Sequence, residues 1–292
     1  MIKISIIIIG YNSSEDLQKL LQSLNQLIIN NELIEVIYVD DGSLDNSVKN
    51  FKDFRLNFTK KCDAFEKNRG RVFARERAAS LASGNWLLFI QSNVVVDCNL
   101  ITEYVRAINN NNVAIAGKII YQSSDSLFEN YLNDKKRGIN NFKNYSSIHY
   151  RSFLFGNCMI KKAVFDSIKF NPVFKLYGGK ELDFSYRLHQ KFPNRMITCR
   201  SAIVTRMGFP DLITHCYRLI EYGNYNFNYL SDELKREVIK WPCLLYKNIF
   251  FNLIVIFMFW LTKRAYKISF LSYYIIKMGL LSAIVLGYYR AK

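Results

Sequence analysis

The chain has 292 residues, half of them hydrophobic and 15% aromatic, which allows one large α/β domain with an appendage and excludes wholesale disorder. Its formal net charge is +16, from 40 Lys and Arg against 24 Asp and Glu. That balance suits polyanions (nucleic acid, anionic lipid or diphosphate-bearing substrates), and no basic stretch interleaved with aromatics points to nucleic acid among them.

The first element is the β-branched run Ile4–Ile9, which reads as a strand buried on both faces of a parallel sheet. It is too short for the apolar core of a signal peptide, and no processing site follows it. After the turn Gly10-Tyr11-Asn12-Ser13-Ser14, residues Leu17, Leu20, Leu21, Leu24 and Leu27 recur at helical spacing, with Glu15 and Asp16 where a helix N-terminus favours acids. A second strand, Glu35–Asp40, ends in Asp41-Gly42-Ser43, giving a β-α-β unit with parallel strands. Arg71–Gly84 reads as a helix closed by Gly84, and "WLLFI" (Trp86–Ile90) as another buried strand. "DCNLITEYVRAINN" is a further helix, and "NVAIAGKIIY" holds one or two strands. Residues 123–148, rich in Asn, Lys, Ser and Tyr, show no period and read as a long mobile loop. "RSFLFGNCMIKK" is strand-like and precedes a helix near Ala163. The six cysteines are scattered without a CxxC pair, so neither a zinc site nor a disulfide framework is expected, and a reducing cytosolic setting fits.

Alternating strands and helices predict an open α/β sheet, with ligands beyond the carboxyl ends of its strands. Polar clusters stand at those ends: Tyr11 and Asn12, Asp40 and Asp41, and Gln91-Ser92-Asn93. A carboxylate there can pair with a base or ribose, and a tyrosine can stack on a base. Each cluster alone is also ordinary turn chemistry, but three on successive strands of one sheet favour a binding site.

The segments "SIIIIGYNSSEDLQKLLQSL", "EVIYVDDGSLDNS", "NRGRVFARERAASLASGNWLLFIQSN" and "GGKELDFSYRL" together resemble the motifs of family 2 glycosyltransferases, over about residues 3–208. The resemblance implies a GT-A fold, a mostly parallel nucleotide-sugar-binding sheet flanked by helices. It also implies hexosyltransferase-type chemistry on a nucleotide-sugar donor. Tyr11 and Asp41 would contact the base, Asp40 would support the turn, and Arg71 would approach the base or diphosphate. Gln91-Ser92-Asn93 falls where the family's Asp-x-Asp motif handles ribose and a divalent metal. "GGKE" matches the family's Gly-Gly-Glu-Asp pattern, with Lys180 replacing the Glu and Glu181 in place of the catalytic Asp.

Inverting transfer needs a carboxylate to take the acceptor hydroxyl's proton. Glu181 is expected in that role with Asp183 as the alternative, although both acids also suit an ordinary helix N-terminus. Divalent cations favour carboxylate ligands, and two acids have here become amides. In "AIVTRMGFP", Arg206 stands where the family often has a metal-side His. The expectation is therefore that no metal is required: Asn93, a neutral and weak ligand, is the one candidate, and Arg206 with Arg71 or Lys180 would hold the leaving diphosphate instead. Mg²⁺ or Mn²⁺ dependence is the alternative.

After Asp232 the sequence turns apolar, aromatic and basic. Ile249–Leu261 is shorter than the roughly 20 residues of a spanning helix, and Ile268–Tyr289 carries Lys277 mid-run. In-plane helices with snorkelling lysines are expected, with packing on the catalytic domain or on another subunit as alternatives. The reading is a transferase domain, 1–215, and a membrane-associating helical segment, 216–292, peripheral or monotopic at the cytoplasmic face. Its partners would be the donor, a glycan or lipid-linked acceptor in cell-surface polysaccharide or glycolipid synthesis, and the membrane surface, with no nucleic acid. A degenerate protein that binds nucleotide sugar or a partner transferase is the other reading.

Overall fold

The computed structural model describes residues 2–268 and 271–291, so Ser269 and Phe270 of the second apolar run, and Lys292 at the end of the 216–292 segment, lie outside it. In chain order the elements are β1 (Lys3–Gly10), α1 (Ser14–Leu24), β2 (Leu33–Asp40), α2 (Ser47–Asp53), β3 (Thr59–Ala64), α3 (Arg71–Leu81), β4 (Trp86–Gln91), β5 (Val94–Val96) and α4 (Leu100–Ala107). There follow β6 (Ala114–Ser123), α5 (Ser126–Asn133), β7 (Asn157–Lys161), α6 (Lys162–Ile168), α7 (Lys180–Lys191), β8 (Met196–Phe209), α8 (Leu212–Asn224), α9 (Asp232–Val238), α10 (Ile249–Ala265) and α11 (Ser272–Arg290). The strands form one sheet in the order β3-β2-β1-β4-β7-β6-β8-β5. Parallel pairing joins β3, β2, β1 and β4, whose connections include the helices α1, α2 and α3. β7 runs antiparallel to β4 and β6, and β5 antiparallel to β8. The sheet is thus mixed rather than mostly parallel: its first four strands in the order pair in parallel, and the pairings of β7 with β4 and β6 and of β5 with β8 are antiparallel.

The chain folds as two compact units: residues 1–122, 135–170 and 184–208, and residues 123–134, 171–183 and 209–292. Residue 215, where the sequence reading places the end of the transferase domain, lies inside α8. In the first unit, Ile4, Ile6 and Ile8 of β1 share a core with Leu17, Leu20, Leu21, Leu24 and Leu27, all buried as the spacing predicts. Each such aliphatic side chain removed from water stabilises by about 1.5–3 kcal/mol. A second apolar cluster is aromatic, with Phe89 against Phe155 and Phe165, each at 5.1 Å between ring centroids.

One buried polar network ties this unit together. Glu35, on β2 and 4% exposed, accepts from Ser5 Oγ at 2.6 Å, Ser83 N at 2.6 Å and Ser83 Oγ at 2.7 Å, and pairs with Lys61 at 2.9 Å. Burial acts to raise its pKa, but the bonds from Ser5, Ser83 and Lys61 prevail and hold it at about 2. Gly84 does not close α3, which stops at Leu81; it lies against β1, where a Cβ would meet Ser5 Oγ at 2.6 Å.

The long loop expected over 123–148 is ordered. Its first part is α5, capped by Asp125 accepting from Phe128 N, with Phe128 buried against Tyr131, Phe209 and His215. Its later part is stitched to β8 by Tyr145 N donating to Thr198 O, Thr198 N to Ser146 O and Ile148 N to Met196 O. An eight-residue helix and irregular edge pairing leave no period for a sequence to display.

In the second unit α11 packs between α8 and α10. Gly223 and Gly287 allow α8 and α11 to touch by their backbones: a Cβ on Gly223 would strike Ile284 O, and one on Gly287 would strike Ile220 O. Among the described residues no helix is long and apolar enough to cross a membrane.

Candidate active site

The parallel strands β1, β2 and β4 end side by side, with β1 in the middle, so chain order reverses between β1 and β4. The crevice outside the carboxyl ends of strands at such a reversal is where open α/β sheets bind ligands. Tyr11, 49% exposed, follows β1 directly. Asn12 turns the chain with φ 47° and accepts from Leu44 N at 2.9 Å, fastening the β1 turn to the β2 turn. Asp40 is buried and spends its oxygens on the turn, accepting from Tyr38 Oη at 2.8 Å, Ser43 N at 2.7 Å and Ser43 Oγ at 2.7 Å. Burial and the adjacent Asp40 carboxylate push the Tyr38 phenol well above its ordinary pKa, so it remains a donor.

Asp41 is likewise buried, and it faces the loop before α3. Its Oδ1 accepts from Arg69 N at 2.8 Å and Gly70 N at 3.1 Å, and its Oδ2 from Gly70 N at 3.0 Å. These bonds fix the loop before α3 against the end of β2. Gly42, at φ +80°, lets the same turn lie against that loop; a Cβ there would meet Asn68 N at 2.5 Å. Arg71 is exposed at the first position of α3. One turn on, Arg75 is 1% exposed, with its guanidinium over the rings of Phe155 (5.0 Å) and Phe170 (5.8 Å). Sequence reasoning passed over Arg75, yet the signal was present: Val72, Arg75 and Ala79 share one buried helical face.

Gln91 ends β4 and Asn93 turns the chain into β5. Antiparallel register sets Val94 opposite Arg206 of β8, and Met207 N donates to Asn93 O at 3.0 Å. Asn93 Nδ2 donates in turn to Met207 O at 3.4 Å. The β5–β8 register thus places Arg206 one ladder position from the amide turn. The turn offers neutral amide oxygens, which are weaker ligands than carboxylates for a divalent metal ion. Among the described residues no group of three or more His, Cys, Asp or Glu side chains is arranged to hold one.

Lys180, Glu181 and Asp183 open α7, with both acids in its first turn, and these residues belong to the second unit, whose boundary falls after Asp183. At a helix start, residues two apart point about 200° from each other, so Glu181 and Asp183 do not share a face. Gly178 and Gly179 precede them at φ 80° and 79°, and Gly178 fits against the Tyr222 ring, where a Cβ would come within 2.6 Å. Lys180 is buried, 8% exposed. Asn226, 1% exposed, holds this turn: its Nδ2 donates to Leu176 O at 2.6 Å, Tyr177 O at 3.1 Å and Gly178 O at 2.9 Å. Nothing local in the sequence marks Asn226.

Residues 5–169, more than half of the chain, match the family model described as glycosyl transferase family 2. The chain belongs to that family. Lys180, Glu181, Asp183 and Arg206 lie beyond the matched span. An uncharacterised glycosyltransferase, YfnE of Bacillus subtilis (strain 168), is 34% identical over 131 residues, 44% of this chain and 33% of its own length. The poly-β-1,6-N-acetyl-D-glucosamine synthase of Staphylococcus epidermidis is 32% identical over 94 residues, 32% of this chain and 22% of the synthase. The matches thus span a third or less of these curated relatives. In fold, the chain is similar to residues 1–349 of S. aureus TarS in complex with UDP, with TM-score 0.58, 16% identity, and coverage of 99% of this chain and 91% of that one. It is also similar to the mannosyltransferase PcManGT of Pyrobaculum calidifontis, solved with GDP-Man and Mn²⁺, with TM-score 0.56, 13% identity, and coverage of 75% and 62%.

Proposed function

We propose that this glycosyltransferase moves a sugar, with inversion, from a nucleotide-sugar donor to a hydroxyl of a glycan or lipid-linked acceptor. The product would be a cell-surface polysaccharide or glycolipid, and no divalent metal would be needed. The observation that carries the reading is the gathering of three polar clusters at the reversal point of the sheet in a chain of this family. The polysaccharide synthase among the relatives, and TarS solved with UDP and with UDP-GlcNAc, support the donor and product class.

In this reading Tyr11 stacks on the base, Asp41 accepts from it, and Gln91 and Asn93 hydrogen-bond ribose or phosphate. Glu181 takes the proton as the acceptor oxygen attacks the anomeric carbon from the side opposite the diphosphate. The bond from that carbon to the diphosphate breaks, and the nucleoside diphosphate leaves with the electron pair. Arg206, with Arg71, balances the charge that develops on it, since a guanidinium bonds phosphate oxygens bidentately. What supports the metal-free reading is the register that sets Arg206 beside a turn whose donors are amides.

The test is transfer, or slow donor hydrolysis, across a nucleotide-sugar panel with Mn²⁺ or with excess EDTA. Activity is expected to survive EDTA, and Arg206→Ala to lower kcat by about 10²–10³-fold, as loss of a transition-state donor does. Activity abolished by EDTA overturns the arginine assignment. Donor binding without turnover, indifferent to Glu181→Gln, would point to a degenerate binder instead.

A further inference from the structure

We infer that α10 is a docking surface for an anionic lipid bilayer and lies in the membrane plane. The inference concerns a face of the second unit and stands independently of the catalytic reading. The helix sequence "IFFNLIVIFMFWLTKRA" is, apart from Asn252, apolar all round until its last turn. Such a helix demands cover on every side. One side has it: Val255, Met258 and Thr262 are buried, and Thr262 meets α11 at Gly279, where a Cβ would strike its side chain. The opposite side carries Ile249, Phe250, Leu253, Ile256, Phe257 and Trp260, each 47–80% exposed. At 100° per residue these fall on one broad face, and Lys263 and Arg264, also exposed, continue it into the last turn.

Charge chooses the occupant. The 55 residues from Val238 onward contain eight Lys and Arg and no Asp or Glu. A second copy docked face to face offers those cations no carboxylate from this segment, whereas anionic headgroups supply one sign throughout. Length chooses the orientation. Seventeen residues span about 26 Å, short of a hydrocarbon core of about 30 Å, and no described helix is long and apolar enough to cross a membrane. An in-plane helix buries Phe257 and Leu253 shallowly, leaves Trp260 at headgroup level and sets Lys263, Arg264 and Lys267 among the phosphates.

The test is cosedimentation of the whole chain with vesicles of phosphatidylcholine alone or with about one-third phosphatidylglycerol, a composition that supplies the surface charge in question. Binding to the anionic vesicles is expected, weakened by salt. Phe257→Glu/Trp260→Glu should lower it at least tenfold while circular dichroism and melting stay unchanged, because both side chains are exposed. Lys263→Glu/Arg264→Glu should remove most of the preference for phosphatidylglycerol, about tenfold or more. Tryptophan emission that Trp260→Phe removes should be quenched by bromines near the headgroups. Three outcomes overturn the inference: no binding to either vesicle, binding unchanged in Phe257→Glu/Trp260→Glu, or quenching strongest from bromines at the bilayer centre. A concentration-dependent dimer broken by Phe257→Glu/Trp260→Glu, without vesicle binding, would assign the face to a second copy.

Discussion

Replacing Asn226 by Asp changes one nitrogen to oxygen at a site where that atom faces three carbonyls, those of Leu176, Tyr177 and Gly178, at 2.6–3.1 Å. The residue is 1% exposed, so a carboxylate cannot turn to solvent. It must either leave the site or take up a proton and donate to one carbonyl. Protonating an acid of ordinary pKa 3.9 at pH 7 costs up to about 4 kcal/mol, and loss of the second bond adds about 1. Asn226→Asp should therefore destabilise the fold by about 3–5 kcal/mol at pH 7. The new acid's folded pKa is raised above its unfolded value. Its penalty is accordingly smallest below about pH 3.9 and grows by about 1.4 kcal/mol per pH unit above it. Denaturant unfolding of both proteins by circular dichroism between pH 4 and 8 measures the difference directly. In donor assays kcat should fall while donor affinity holds, because the carbonyls lie in the turn that leads into Glu181. A variant within about 0.5 kcal/mol of the parent at pH 7, or a difference flat in pH, would refute the clamp.

Glu35→Gln should cost about 2 kcal/mol at pH 7, below the roughly 3 that a pKa of about 2 against an ordinary 4.5 allows, since Lys61 is 40% exposed and screened. This carboxyl's folded pKa is lowered, so its contribution is full above pH 4.5 and is lost as the pH falls from 4.5 to about 2; unfolding curves of parent and variant should converge there. Gly42→Ala must strain a φ of +80° and displace the backbone at Asn68, so it should destabilise by about 1–3 kcal/mol and weaken nucleotide binding, read by calorimetry. Glu181→Gln should lower kcat by about 10²–10⁴-fold with donor affinity intact, and Asp183→Asn much less; the reverse order would move the proton-accepting role to Asp183.

How much of this was legible in the sequence follows from how local each signal is. β1, β2 and β4 are buried on both faces and read as β-branched or apolar runs, and the leucines of α1 recur at helical spacing. β3 pairs with one neighbour only and is lined by Thr59, Lys60, Lys61 and Asp63, so it resembles a loop until β2 is beside it. Polar clusters could be placed at strand ends because strand ends are local, whereas the order of the strands is not. Arg206 sits 113 residues from Asn93, and only the β5–β8 register joins them. Asn226 is less legible still. It serves a turn nearly fifty residues earlier through contacts to main-chain carbonyls, which any sequence presents alike.

The amides at the end of β4 and the arginine on β8 make sense as one arrangement. Asn93 both accepts from the main chain of Met207 and donates to it, through Nδ2, so the turn is held to β8 from both sides. An aspartate at 93 has no hydrogen to donate to the Met207 carbonyl. It would also place a negative charge beside Arg206, across one residue of β-ladder from it. In the proposed reaction that charge would compete with the diphosphate for the same guanidinium. A carboxylate pair is useful when a dication stands between it and the phosphates, and without the dication it repels them. An amide keeps the hydrogen-bonding shape of the turn and, in the proposed reaction, would leave the arginine's charge to the leaving group.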